Sequence, residues 1–144
     1  MSAYRRANVT DLEMNSEKPG QRREVSPQLD LSGYNYNVAT LDPNTTLSQN
    51  AYHYHENQAE FFHVLNGSCR VEVEDGAFVC DVDDLVVFEA GTPHLLHNPY
   101  ERPCRVIAIG SPPDGRYPVH QIQSYDELIA RRYDGSIPRG DRNE

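Results

Sequence analysis

Two histidines and a glutamate stand close together near the middle of this 144-residue chain, at a spacing suited to binding a metal ion. His53 and His55 are two residues apart, so in a β-strand their side chains share one face, about 6.5–7 Å apart at the backbone. Glu60 begins the next apolar segment, which the turn Asn66-Gly67 closes. Imidazole nitrogens and carboxylate oxygens are ordinary ligands of divalent transition metals. These three side chains therefore predict a metal site shared by two neighbouring strands.

A fourth candidate ligand, His94, follows in the segment Gly91-Thr92-Pro93-His94-Leu95-Leu96-His97-Asn98. Two other histidines receive the opposite interpretation. His63 is three residues from Glu60, and His97 is three residues from His94. An odd separation along a strand places a side chain on the opposite face. We therefore expect His63 and His97 to be packing or surface residues rather than ligands.

The spacings resemble the two signature motifs of the cupin superfamily. The first motif, H-x-H-x4-E-x6-G, is matched at every defined position from His53 to Gly67. A glycine often stands six residues before the first histidine of this motif, and here that residue is Leu47. The second motif, G-x5-P-x-G-x2-H-x3-N, is matched in part. It keeps Gly91, His94 and Asn98, and has Asp83 and Glu89 in place of its first glycine and its proline. The resemblance covers about residues 47–109.

The resemblance implies an all-β fold, a single-domain double-stranded β-helix (jelly-roll barrel), to which the sequence adds a short C-terminal helix. It also implies one divalent metal ion held by His53, His55, Glu60 and His94. The two departures in the second motif fall at strand turns, so they affect loop geometry more than ligation. Proteins with these motifs include dioxygenases, sugar-phosphate isomerases, decarboxylases and proteins of no known chemistry.

Three imidazoles and one carboxylate suit Fe, Mn, Ni, Cu or Zn and leave coordination positions open for water, O2 or a bidentate substrate. Glu60 is also the candidate general base, if it lifts off the metal. Strand alternation places further side chains on the ligand face, which predicts a mostly apolar pocket with amide groups. The predicted lining residues are Ala51, Asn57, Phe62, Val64, Leu96 and Asn98.

Three functions are compatible with such a site. A sugar-phosphate isomerase would place a cationic side chain in the pocket for the phosphate, and the ligand face offers none beside the motifs, although Arg70, Arg105 or Arg116 could reach it. We therefore favour a dioxygenase-type metalloenzyme acting on a small enediol, diketone or aromatic substrate. An isomerase using Glu60, His97 or Tyr54 for proton transfer is the first alternative. A non-enzymatic module that binds a small molecule or metal is the second.

Four segments are predicted along the chain. Residues 1–26 are polar and aperiodic and are expected to form a flexible arm, 27–123 the barrel, 124–135 a helix, and 136–144 a flexible tail. In the helix, Ser124 and Glu127 fit a capping box. Its apolar stripe contains Tyr125, Leu128, Ile129 and Tyr133, and it ends at Gly135. Alternation and turn residues predict strands at 34–41, 52–55, 60–65, 69–74, 77–82, 85–88 and 105–109.

The charge balance restricts the class of partner. The chain has 22 acidic and 13 basic residues, a formal net charge of −9, which argues against nucleic acid or an anionic membrane surface. Lys18 is its only lysine, and an acidic, lysine-poor composition is compatible with a halophilic source.

Phe61 and Leu65 alternate away from the ligand side and need cover, which predicts a homodimer.

The three cysteines predict no disulfide framework. Cys69, Cys80 and Cys104 are an odd number, and no charged-then-apolar signal segment is seen at the start of the sequence. We expect them to be reduced thiols in or near the core of a cytoplasmic protein. No apolar run approaches the roughly 18 residues of a membrane-spanning helix.

Overall fold

The computed structural model describes residues 3–47, 50–133 and 137. These residues form eleven strands, two helices and two 3-10 turns, so the predicted all-β class with a short C-terminal helix is confirmed. The strands are β1 (Arg23–Glu24), β2 (Asn35–Leu41), β3 (Thr45–Thr46), β4 (Ala51–His55), β5 (Ala59–Asn66), β6 (Cys69–Val73), β7 (Gly76–Cys80), β8 (Leu85–Phe88), β9 (Leu95–Asn98), β10 (Cys104–Ser111) and β11 (Val119–Ser124). The helices are α1 (Val25–Gln28) and α2 (Tyr125–Tyr133), and the 3-10 turns are Val9–Asp11 and Pro113–Gly115.

The described strands pair in three antiparallel sheets rather than one continuous hydrogen-bonded barrel. One sheet has the order β1-β2-β10-β5-β8, a second has the order β3-β9-β6-β7, and β11 pairs with β4. Burial alternates residue by residue along β10, so one face of that strand points inward. The core between the sheets is built from alternate apolar side chains, among them Leu41, Phe62, Val64, Val71, Leu96 and Val106.

Two tight turns contain glycine positions of the motifs, one where the glycine is kept and one where it is replaced. Gly67 has a φ of +76°, and a Cβ at that position would collide with the carbonyl oxygen of Pro103. Asp83 stands where the second motif has its first glycine, and its φ is +75°. Aspartate tolerates this left-handed conformation better than most residues. The backbone N–H of Asp83 donates to the carbonyl of Val64 at 2.9 Å, so the turn forms without a glycine.

The end of the predicted flexible arm lies against the sheet. β1 pairs with β2, where Arg23 is opposite Val38 and Glu24 is opposite Asn37. Val25 and Ser26 in α1 are buried. The sequence of this segment is polar and aperiodic, so it has no apolar pattern from which a strand could be predicted. Its order comes from backbone pairing with a distant strand. The sheet therefore begins near residue 23, before the expected boundary at 27.

The C-terminal helix begins at the predicted capping box. The N–H of Glu127 donates to the Ser124 hydroxyl at 3.2 Å, and the N–H of Ser124 donates to the Glu127 carboxylate at 3.3 Å. Leu128 is fully buried against Tyr52 and Leu95. The predicted helix end at Gly135 and the predicted tail over 136–144, apart from Ile137, lie outside the described residues. No helix in the described ranges is long and apolar enough to cross a membrane.

The three cysteines are buried and free, as predicted. Cys69 and Cys80 face each other across β6 and β7. All three thiols belong to the apolar core between the sheets.

A buried carboxylate beneath α2 joins the helix to the outer face of the four-stranded sheet. Glu72 has no solvent exposure, and neither has His97, whose Nε2 lies 2.8 Å from a Glu72 oxygen. The hydroxyl of Tyr133 donates to Glu72 at 2.7 Å, and the guanidinium of Arg132 donates to it at 3.0 Å. Burial alone would raise the pKa of Glu72, but hydrogen bonds from His97 and Tyr133 outweigh burial and lower it. Glu72 therefore stays ionised and holds the helix to the sheet.

Replacing Glu72 by alanine should destabilise the fold by about 3–5 kcal/mol, because His97 and Arg132 would lose their buried partner. Urea unfolding measures this difference, and Glu74→Ala, an exposed site in the turn after the same strand, should change stability by only about 0.5 kcal/mol. Folding lowers the pKa of Glu72 below its value in the unfolded chain, which is about 4.3. The stabilisation by Glu72 is therefore complete above the unfolded pKa and is lost as the pH falls through the folded pKa. Equal stability of both variants at neutral pH would refute this role.

Candidate metal centre

β4 carries two of the predicted ligands into the space between the sheets. His53 and His55 are 3% and 4% exposed. Tyr54, between them, points outward, where its ring stacks on His120 at a centroid distance of 4.8 Å. The alternation expected of a strand therefore holds across the histidine pair.

Backbone pairing brings His94 beside this pair. The N–H of His94 donates to the carbonyl of His53 at 2.9 Å, and the N–H of His53 donates back to His94 at 3.2 Å. Gly91 donates to the carbonyl of His55 at 2.8 Å, so the segment before β9 runs along β4. The rings of His53 and His94 lie 4.7 Å apart. The second motif is thus fixed to the first by main-chain hydrogen bonds.

Glu60, on β5, completes the group. Its Oε1 lies 2.8 Å from Nε2 of His94 and 3.3 Å from Nε2 of His55. One potential ligand atom from each of His53, Glu60 and His94 lies within 4.8 Å of the others. The structure therefore groups His53, Glu60 and His94, and places His55 against the same Glu60 oxygen.

Each imidazole is held by its second nitrogen to a backbone carbonyl. The partners of Nδ1 are the carbonyls of Ala51 at 2.8 Å for His53, Arg116 at 2.7 Å for His55, and Thr92 at 2.8 Å for His94. A carbonyl oxygen can only accept, so each Nδ1 must be the protonated donor. In the neutral ring Nε2 then carries a lone pair. Such backbone contacts orient histidines that ligate metals.

The arrangement around Glu60 fits a bound cation. With Nδ1 protonated, the neutral His55 and His94 rings would turn Nε2 lone pairs toward a carboxylate, an electrostatically unfavourable contact. A proton on each ring or a shared divalent cation removes the repulsion. Three imidazole nitrogens and one carboxylate oxygen also match the donor set that transition metals prefer. The residues present therefore fit a divalent metal ion.

The pKa directions agree with this electrostatic picture. Burial lowers the pKa of His53 to about 4, so this ring is neutral at pH 7. Burial alone would also lower the pKa of His55, but its hydrogen bond to Glu60 and the charge of that carboxylate raise it overall. Burial would raise the pKa of Glu60, but hydrogen bonds to His55 and His94 hold it well below its ordinary value. Glu60 is thus a half-buried, charged carboxylate.

The ligands lie between an apolar and a polar region. On the apolar side, Leu47, Phe62 and Leu96 line a small cavity together with His53, Glu60 and His94. Phe88 stacks on the ring of His94 at 4.2 Å with an interplanar angle of 5°. This packing shields one side of the site from water.

A second cavity, on the polar side, shares Glu60 with the first. His55 and Glu60 form part of its wall, with Arg22, Asn35, Asn37, Gln58, Ala108, Ile109, Gly110 and Arg116. Of the three arginines that the sequence offered, only Arg116 lies here; Arg70 pairs with Glu72 at 3.5 Å, and Arg105 lies at an outward position of β10. Arg22 was missed because its segment shows no periodic pattern, and no sequence signal identified it.

The predicted lining residues take several positions. Phe62 and Leu96 line the apolar cavity, and Val64 is buried in the core beside them. Ala51 is buried, and its carbonyl accepts from His53. Two predicted roles differ from the structure, those of Asn57 and Asn98.

Asn57 is exposed, because strand alternation does not extend into the loop after β4, and Gln58 lines the polar cavity instead. The Asn98 amide donates to the carbonyls of Leu41 at 2.9 Å and Arg102 at 2.7 Å, so it fixes a turn. His63 is half-buried at an outward position of β5, and His97 is buried with Glu72, so neither lies in the ligand cluster.

Comparison with known proteins identifies similar folds. The family model described as "Cupin_2: Cupin domain" matches residues 37–110. The polyketide cyclase RemF from Streptomyces resistomycificus has a TM-score of 0.75 at 18% identity, covering 91% of this chain and 96% of that chain. A sugar phosphate isomerase from a cupin superfamily of Silicibacter pomeroyi has a TM-score of 0.68 at 21% identity, covering 97% and 100%.

The oxalate decarboxylase of Lactobacillus farciminis, solved as a formate complex, has a TM-score of 0.65 at 21% identity. The match covers 99% of this chain but only 46% of that one. The sequence matches none of the curated proteins with which it was compared. At these identities the structural likeness shows the fold alone.

Removing one histidine should strip most of the metal from this site. We expect about one ion per chain in the parent, and a large loss in His53→Ala and His94→Ala, because three remaining ligands leave the ion under-coordinated. Elemental analysis of protein purified without added metal measures the content. His63→Ala, on the outward face of β5, is the matched control and should retain its metal. Equal metal content in His94→Ala and the parent would refute the assignment.

Proposed function

The chain belongs to the cupin family, and on this premise we propose that it is a divalent-metal-dependent enzyme acting on a small oxygenated organic substrate. The supporting observation is that Nε2 of His55 and of His94 lie against the Glu60 carboxylate, that His53 belongs to the same group, and that a backbone carbonyl holds each Nδ1. The proposed ligands are His53, His55, Glu60 and His94. Their donor set suits Fe, Mn, Ni, Cu or Zn.

When bound, the ion supplies Lewis-acid activation of substrate oxygens and, if redox-active, electron transfer. The protein residues supply orientation and proton transfer. The backbone contacts at Nδ1 fix the three rings, and Phe62, Phe88 and Leu96 exclude water on one side. Glu60 is the carboxylate placed at the centre of the ligands, and it can accept a proton from a bound substrate.

The favoured reaction is of the dioxygenase type. Leu47, Phe62 and Leu96 form an apolar wall beside three of the proposed ligands. Such a wall suits the carbon skeleton of an enediol, a diketone or an aromatic ring. A substrate with two adjacent oxygens would bind the ion and lie against this wall.

The second candidate is an isomerase acting on a sugar or sugar phosphate. The sequence argument against it was the absence of a cationic side chain near the ligands, whereas Arg22 and Arg116 line the cavity that contains His55 and Glu60. Of its suggested proton-transfer groups, Tyr54 stacks on His120 outside the ligand cluster, and His97 is bonded to Glu72. Glu60 therefore remains the group positioned for proton transfer in either reaction.

Oxygen consumption separates these functions. Protein loaded anaerobically with Fe(II) or Mn(II) should consume O2 with enediols, diketones or catechol-like compounds, and Zn(II) protein should not, since zinc does not change oxidation state. The metal-depleted His94→Ala variant serves as the inactive control. Turnover of aldose or ketose phosphates without O2, retained with Zn(II), would replace the dioxygenase with the isomerase. Neither reaction, together with a ligand-dependent rise in Tm, would identify a binding module.

We also propose that the protein forms a homodimer. On the outer face of the five-stranded sheet, Phe61 lies opposite Val87, and His63 lies opposite Leu85. Leu85 and Val87 are 59% and 51% exposed, and their strand β8 is at the sheet edge among the described strands. A second copy pairing at this edge would cover them. Light scattering should give a dimer mass for the parent and a monomer mass for Val87→Arg; a monomeric parent at micromolar concentration would contradict the proposal.

A further inference from the structure

Basic residues gather at the polar cavity, although the protein as a whole is acidic. The net charge is −9, and Lys18 is the only lysine in the sequence. Arg22 and Arg116 line the cavity beside His55 and Glu60. Burial lowers the pKa of Lys18, in the segment before Arg22, and the charges of Arg116 and Arg22 lower it further. An acidic chain thus places two guanidinium groups at one cavity, next to two of its proposed metal ligands.

Both arginines are held in place by the ligand region and the adjoining sheet. The carbonyl of Arg116 accepts from Nδ1 of His55 at 2.7 Å, so the backbone of this residue is fixed to a proposed ligand. Arg22 is 4% exposed and lies 3.3 Å from a carboxylate oxygen of Glu24. Burial lowers the pKa of Arg22, and the positive charge of Arg116 adds to this effect. Two guanidinium groups are therefore confined together at an energetic cost.

The nearby carboxylates do not balance the positive charges of the two arginines once a metal ion is bound. Glu60 is the carboxylate in the cavity wall, and its oxygen is directed to His55 and His94, where the ion would lie. Glu24 pairs with Arg22. Nε of Arg116 is buried, and no described residue accepts a hydrogen bond from it. A buried guanidinium donor of this kind is suited to an anionic oxygen.

The remaining wall is rigid and polar. The side-chain amides of Asn35, Asn37 and Gln58 donate to the carbonyls of Pro113, Ala108 and Pro112 at 3.2, 3.3 and 2.9 Å. Gly110 keeps this wall open to Gln58, because a Cβ there would lie 2.6 Å from the Gln58 side chain. These hydrogen bonds fix the amide side chains of the cavity wall.

We propose that Arg22 and Arg116 bind an oxyanion of the substrate, a carboxylate or a phosphate, while the other oxygens of the substrate reach the ion held beside His55 and Glu60. This inference rests on the proposed function and names its substrate class. The substrate is a small organic anion, with its charge at the arginines and its carbon skeleton extending toward Phe62 and Leu96. Both reaction classes accommodate such a substrate.

Calorimetric titration of the Zn(II)-loaded protein tests the proposal with three probes. The probes are malonate, inorganic phosphate and the neutral analogue malonamide. At least one anion should bind with an affinity that falls as salt is raised, and malonamide should bind far more weakly. Preference for malonate identifies a carboxylate substrate, and preference for phosphate identifies a phosphate ester.

Variants locate the binding. Arg116→Gln should weaken anion binding about tenfold or more, the effect of losing a charge-assisted hydrogen bond. Arg116→Lys should lose less, because it keeps the charge but not the planar fork. Arg131→Gln, an exposed residue of α2, makes the same change in net charge and should bind like the parent.

Metal content is measured on each sample, so that failure of the two proposals can be distinguished. Unchanged anion affinity in Arg116→Gln, with metal retained, would overturn the anion site alone. A parent that binds no metal would overturn the proposed function. In that case, titration of the metal-free protein still tests the arginines, and equal affinity in the parent and Arg116→Gln would refute them.

Discussion

The site depends on one electrostatic constraint, the protonation of three histidines at the nitrogen that faces the backbone. Because the carbonyls of Ala51, Arg116 and Thr92 accept from Nδ1, each neutral ring presents an Nε2 lone pair. Two of these nitrogens lie within 3.3 Å of a Glu60 oxygen. A lone pair facing a carboxylate is unfavourable unless positive charge lies between them. The proposed metal ion, the charge of Glu60 and the orientation of the rings follow from this arrangement.

The fold meets this constraint by main-chain pairing rather than by side-chain packing alone. β4 exchanges hydrogen bonds with the segment around His94 on one side and pairs with β11 on the other. The loop before β11 supplies Arg116, whose carbonyl orients His55 and whose side chain enters the polar cavity. One residue therefore connects metal ligation with the proposed recognition of an anion. The apolar and cationic cavities share Glu60. The proposed substrate would contact the apolar wall at one end and the arginines at the other, with the proposed ion between them.

The sequence predicted which histidines the fold brings to Glu60, because spacing and strand alternation are local properties. Alternation also placed Phe62 and Val64 inward, with His63 at an outward position. It failed at Asn57, where the strand has ended, and at Asn98, whose amide serves a turn. Arg22 and the buried Glu72 could not be predicted in this way, because their burial comes from pairing with β2 and from covering by α2. Such contacts depend on elements distant in sequence, which no local pattern encodes.

The central claim is that this chain binds a divalent metal through imidazole and carboxylate groups at the position where three histidines meet Glu60. X-ray absorption at the edge of the bound metal tests the claim most directly. The account predicts a first shell of nitrogen and oxygen at about 2.0–2.2 Å, with the outer-shell scattering of several imidazole rings. A sulfur shell near 2.3 Å would contradict it, since that distance would assign the metal to the buried thiols of Cys69, Cys80 and Cys104.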